Sequence, residues 1–160
     1  MDVSFERKAA GSKDEWLTPP EIIKALGVFD LDPCAPLKRP WDTAKRHYTK
    51  RDDGLKMPWR GRVWCNPPYG RSTSEWLKKC ANHGDCIALT FARTETNMFF
   101  EHVWNTADAV LFIKGRLKFY HKNGKIAQSA GAPSVLIAYG KNNVNKLHKA
   151  KIEGVFITLK

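Results

Sequence analysis

The chain has 160 residues and carries 27 Lys and Arg against 16 Asp and Glu, a formal net charge of +11. Its length suits one domain, a 42% hydrophobic content suffices for one core, and six tryptophans with eight phenylalanines exclude a disordered chain. No apolar run reaches the roughly 20 residues of a membrane helix, and MDVSFERKAAGSKDEW at the start holds no secretory apolar segment, so a soluble intracellular protein with polyanionic partners is expected.

Residues 1–15 are polar and are expected to be a mobile segment ahead of one domain over 16–160. Thr18-Pro19-Pro20-Glu21 reads as a helix start, with Thr18 as cap and Glu21 at capping-box spacing. Ile22, Ile23 and Leu26 form its apolar stripe, and Gly27 ends it. Residues 29–34, FDLDPC, read as a short strand with Phe29 and Leu31 on one face and Asp30 and Asp32 on the other. Residues 35–60 are rich in Pro, Lys, Arg and Asp without a clear period, and read mostly as a long, functional loop.

Beyond this loop the pattern becomes regular. Strands are expected at 62–66, 86–91, 108–114, 134–139 and 155–159, and helices over Ser72/Ser74 to His83, Glu95–Asn105 and 144–151. Asn123-Gly124 marks a hairpin turn between the strands at 108–114 and 134–139. Trp64 and Trp76 fit core faces. Cys34, Cys65, Cys80 and Cys86 show no CxxC spacing and the histidines no zinc spacing, so reduced structural thiols and no metal are expected.

Strands alternating with helices predict an α/β sandwich, with a mostly parallel sheet that ends in an antiparallel hairpin. Ligands in such folds bind beyond the carboxyl ends of strands. FDLDPC and RVWCNPPY both finish in polar, proline-bearing turns at such ends.

The turn Asn66-Pro67-Pro68-Tyr69 could simply end a strand. It also suits one particular chemistry. An exocyclic amine whose lone pair is delocalised into a ring is a poor nucleophile. Acceptors facing its two N–H bonds hold it and favour the pyramidal geometry that frees the lone pair. Asn66 offers a side-chain carbonyl, Pro67 a main-chain carbonyl fixed by its ring, Pro68 further stiffness, and Tyr69 a flat face for an extruded base. The contribution would be orientation and electrostatics rather than acid–base work.

These segments resemble a known family. NPPY after an apolar strand is the signature of S-adenosylmethionine-dependent amino-methyltransferases. TPPEIIKAL, FDLDPCA, DDGLKMPWRGRVWCNPPYGRS, LTFARTETNMFF, VLFIKGRLKF and APSVLIAYG, in that order over roughly 14–140, are similar to the phage-type DNA N-6-adenine-methyltransferases. The resemblance implies a compact Rossmann-like methyltransferase sandwich and direct methyl transfer to adenine N6 in DNA. It also implies base flipping and a phage or prophage protein, at work in a bacterial cytoplasm. Asn66, Pro67, Pro68 and Tyr69 match the catalytic motif. Thr18 and Pro19 match the segment lining the methionine end of the cofactor, with Trp16 and Trp59 flanking these motifs. Asp32, or its rival Asp30, matches the first-strand acid, and Asp53 the position near the cofactor's adenine. Arg93 and Arg116 match positions beside the cleft, expected to serve DNA.

Departures from the family are also present. The glycine-rich turn after the first strand is replaced by Pro33-Cys34-Ala35-Pro36, and the second and third strands are trimmed. No separate recognition domain is visible, so residues 35–60 and 118–132 are the candidates for that task. Lys118, Lys122 and Lys125, interleaved with Phe119 and Tyr120, suit either a solvated loop or a DNA-contacting arm. NPPY also occurs in enzymes that methylate RNA adenine or protein glutamine, and a silent DNA-binding module could keep the fold. A monomer or weak dimer is consistent with the sequence.

Overall fold

Alternation along three neighbouring strands sets the layering. Val63, Cys65, Cys86, Ala88, Val135 and Ile137 join one apolar cluster, while Trp64, Ile87, Leu89, Leu136 and Ala138 join another. Successive side chains of a strand point to opposite faces, so a sheet apolar on both faces must be covered on both. The protein, a computed structural model that describes residues 16–160, does this with helices on each side. The segment expected over 1–15 lies outside the described residues.

The strands are β1 (Leu31–Asp32), β2 (Arg46–His47), β3 (Val63–Cys65), β4 (Cys86–Phe91), β5 (Ala109–Ile113), β6 (Lys118–Tyr120), β7 (Ile126–Ser129), β8 (Ser134–Tyr139) and β9 (Gly154–Thr158). The helices among the described residues are α1 (Pro20–Leu26), α2 (Thr73–His83), α3 (Asn97–Phe99) and α4 (Lys141–Lys149). α3 continues as a π-helical turn over Phe100–Trp104, where the expected helix was continuous from Glu95. Thr96 delays the start, because its side chain caps Phe99 N–H. No helix of the described residues is long and apolar enough to cross a membrane.

The main sheet has the order β2-β1-β3-β4-β8-β5-β9. β1 pairs in parallel with β2 and β3, and β3 with β4, while β8 and β9 run antiparallel to their neighbours. The hairpin expected at the end of the sheet is arranged differently. β8 is inserted between β4 and β5, and β6 with β7 forms a separate two-stranded sheet. All six residues of β8 are buried, which only an interior strand allows, whereas β6 exposes Lys118.

Other local expectations shift for physical reasons. β1 is two residues long, so alternation does not extend back to Phe29. Phe29 packs with α1 and Trp64, and Leu31 packs on the opposite face. α4 starts at Lys141 because Asn143 is drawn into the interior, accepting from Arg62 Nε at 2.7 Å and donating to Asp85 at 2.8 Å. Thr18 does not cap α1: Pro19 is the cap residue, without a side-chain bond.

The chain leaves β1 to one side for β2 and returns on its other side as β3. In open α/β sheets such a reversal is where a ligand crevice forms, here beyond the carboxyl ends of β1 and β3. The loop after β2 closes tightly beneath it. A Cβ on Gly54 would sit 1.9 Å from the Pro33 carbonyl oxygen. The Gly54 carbonyl accepts from Trp59 Nε1 at 2.8 Å, and Lys79 Nζ donates to the Leu55 and Met57 carbonyls at 2.7 and 2.6 Å. Gly54→Ala is expected to destabilise the fold by about 1–3 kcal/mol and to lower the thermal midpoint by roughly 5 °C. An unchanged midpoint in circular dichroism melting would contradict this packing.

Candidate active site

β3 delivers the chain to the crevice as Cys65-Asn66-Pro67-Pro68-Tyr69. The turn is tied on three sides. Cys34, just beyond β1, donates its thiol to the Asn66 main-chain carbonyl at 3.1 Å. Thr73, the first residue of α2, donates its hydroxyl to the Pro68 carbonyl at 2.6 Å. The Asn66 side-chain Nδ2 donates to Thr18 Oγ1 at 3.2 Å. Among the described residues, no hydrogen bond reaches the Pro67 carbonyl.

The other side of the Asn66 carboxamide is unlike the first. Oδ1 is buried and has no hydrogen-bond partner among the described residues. A buried acceptor left unpaired costs about 1–3 kcal/mol, so such an atom is the exception that calls for a ligand. The Tyr69 ring lies parallel to Phe91, with centroids 4.1 Å apart and planes at 1°. Its hydroxyl is also buried and has no partner among the described residues. Burial pushes the phenol well above its ordinary range, so Tyr69 stays neutral.

Asp32 is placed differently from the expected ligand-facing acid. It is 4% exposed. Its Oδ1 accepts from Cys34 N–H at 3.1 Å, and its Oδ2 accepts from the Thr43 hydroxyl. Its main-chain carbonyl accepts from Tyr48 N–H at 2.8 Å. The carboxyl therefore staples the loop 33–43 to β1. Asp30, one residue before the strand, accepts from Arg62 N–H at 2.8 Å and lies 3.7 Å from Lys45 Nζ. Asp53 is exposed, takes the left-handed conformation at φ 58°, and faces Lys56 Nζ at 3.6 Å.

Arg93 follows β4, the strand beside β3, and its carbonyl accepts from Thr96. Arg116 follows β5 and donates to the Ala130 carbonyl at 3.4 Å. Lys118, Lys122 and Lys125 are exposed on the β6–β7 hairpin. This hairpin does not project freely. Leu17 and Tyr120 exchange two main-chain hydrogen bonds of 2.9 Å, and Trp41 meets the Tyr120 ring edge-on at 5.1 Å.

The structure thus brings Thr18, Cys34, Asn66, Tyr69 and Phe91 together, while Asp30 and Asp53 are occupied with local partners. Phe91 was missed in the sequence, where it is only the last residue of an apolar strand; the adjacency of β4 to β3 gives it meaning. Cys34, expected as a reduced structural thiol, ties the turn through the Asn66 carbonyl. All four cysteines are free, and their thiols are raised. Cys34 is raised by its neighbour Cys65 and then by burial, and Cys86 is raised by burial to about 11. None is poised as a nucleophile. Among the described residues, no group of three or more His, Cys, Asp or Glu could hold a metal ion.

A family model described as DNA N-6-adenine-methyltransferase (Dam) matches residues 7–149. No curated protein and no solved structure matches the chain.

Burial above all pushes the Asp32 carboxyl from 3.8 up to about 6, against the hydrogen bonds from Thr43 and Cys34 and the nearby Arg39 charge. The folded value exceeds the unfolded one, so protonation favours the folded chain. The contribution is complete below pH 3.8 and is lost as the pH rises through about 6. Relative to Asp32→Asn, the native protein should therefore gain up to about 3 kcal/mol between pH 7 and pH 4. Urea unfolding of both across that range checks it; a constant difference would contradict it.

Proposed function

The chain belongs to the DNA N-6-adenine-methyltransferase (Dam) family, and we propose that it transfers a methyl group to adenine N6 at the turn formed by Asn66, Pro67, Pro68 and Tyr69. Membership of the family implies DNA as substrate and S-adenosylmethionine as methyl donor. The observation that carries the site assignment is the buried, unpartnered Oδ1 of Asn66. It is an acceptor without a donor, and the exocyclic amine of adenine supplies donors.

Asn66 Oδ1 and the Pro67 carbonyl each accept one N–H of the amine. Both bonds strengthen as the nitrogen becomes pyramidal and gathers positive charge, so they favour the transition state over the planar ground state. The fixed ring of Pro67 and the Thr73–Pro68 hydrogen bond keep the acceptors in place before the substrate arrives. Since Phe91 already covers one face of Tyr69, an extruded base stacks on the other. The raised thiols and the neutral phenol favour direct transfer without a covalent enzyme intermediate.

The methyl donor belongs at the β1/β3 crevice, within a Rossmann-like sandwich trimmed between β1 and β3. Bound there, it supplies an electrophilic methyl group. Pro19 and the exposed Asp53 are the side chains we assign to its rim, while Asp32 shapes the loop that walls it. Asp30 would act only indirectly, through Arg62 and Lys45. The Lys118, Lys122 and Lys125 hairpin, with Arg93 after β4 and Arg116 after β5, offers positive charge to the DNA backbone.

Asn66→Ala should lower the rate of methyl transfer to DNA roughly 100- to 1000-fold and leave calorimetric binding of S-adenosylmethionine largely intact. Turnover retained by this variant would overturn the assignment.

A further inference from the structure

An acceptor works only if its plane is fixed. The Asn66 carboxamide rotates about a broad, soft torsion, and among the described residues no donor reaches its Oδ1. The contact that orients the group is the 3.2 Å hydrogen bond from Nδ2 to Thr18 Oγ1. Thr18 is 2% exposed, and its hydroxyl is not spent on capping α1, whose cap residue is Pro19. The residue before it is anchored in turn. Leu17 is bridged in both directions to Tyr120 of β6, and the Tyr120 ring rests on Trp41. A chain of contacts thus runs from the basic hairpin through Leu17 and Thr18 to Asn66.

We propose that Thr18 is a positioning residue for the transfer step, holding the Asn66 carboxamide so that Oδ1 faces the incoming amine. The proposal rests on the role given to Asn66 above. A hydroxyl here does what neither a methyl group nor a cofactor contact would do. It satisfies the amide N–H on one side and leaves the carbonyl on the other side free. The hairpin bridge keeps that hydroxyl in register, so an arm that meets DNA also braces the group that meets the base.

The test compares Thr18→Val, Thr18→Ser, Asn66→Ala and the double variant Thr18→Val/Asn66→Ala, with steady-state methylation of DNA and calorimetric cofactor binding on each. Thr18→Val should lower kcat about 10- to 100-fold, with KM for DNA and cofactor affinity both within about twofold of the native protein. Thr18→Ser, which restores the hydroxyl, should recover most of kcat. In the Asn66→Ala background, Thr18→Val should cost nothing more, because the group it positions is gone. Thr18→Ala, which lacks the branched side chain, provides the same comparison should the valine variant lose cofactor-binding capacity through misfolding. Native kcat in Thr18→Val beside an inactive Asn66→Ala would overturn this inference and leave the proposed function standing. A loss confined to cofactor affinity would also overturn it, making Thr18 a cofactor contact. Native turnover in Asn66→Ala would instead remove the function on which the inference rests.

Discussion

Asn66 is gripped at two points. A thiol from the turn after β1 holds its main-chain carbonyl, and a hydroxyl from the segment before α1 holds its side-chain amide. The partners lie 32 and 48 residues away in sequence. They meet because β1 and β3 are adjacent and parallel, with their carboxyl ends side by side. The reversal of strand order at this point is therefore the constraint from which the site follows. The two apolar clusters on either side of the sheet hold the strands rigid. One amide oxygen consequently remains buried and unpaired among the described residues.

A rigid sheet with a stapled crevice suits chemistry that needs placement more than proton transfer. The ionisable groups near the turn are held in neutral or inert forms. The phenol and thiols are raised, and the buried Asp32 serves the loop that it ties. The charge resides elsewhere, on the exposed lysines of the hairpin and on Arg116 after β5. This division matches the demands of a polyanionic substrate bearing a neutral reactive group: long-range attraction from the surface, short-range dipoles at the centre.

Much of this was legible in the sequence because it is local. NPPY after an apolar run marks the end of β3. Gly27 closes α1, and the Asn123-Gly124 turn joins β6 to β7. What was not legible depends on who meets whom across the fold. Thr18 reads as a helix cap because its neighbours in sequence invite one, yet its hydroxyl is claimed by Asn66. Asp32 reads as a ligand for something outside the chain, yet Thr43 and Cys34 take both its oxygens. Phe91 carries no signal until β4 lies against β3 and sets it under Tyr69. The position of β8 between β4 and β5 is likewise a matter of register and burial, which no short window of sequence encodes.

The most direct measurement is the chemical identity of the methylated product. The protein would be given isotopically labelled S-adenosylmethionine with unmethylated DNA, bacterial RNA and a protein extract in separate reactions. The products would be digested and resolved by mass spectrometry. Label is expected in N6-methyladenine from DNA. Label confined to RNA or to glutamine would contradict it, as would no label anywhere while the cofactor binds.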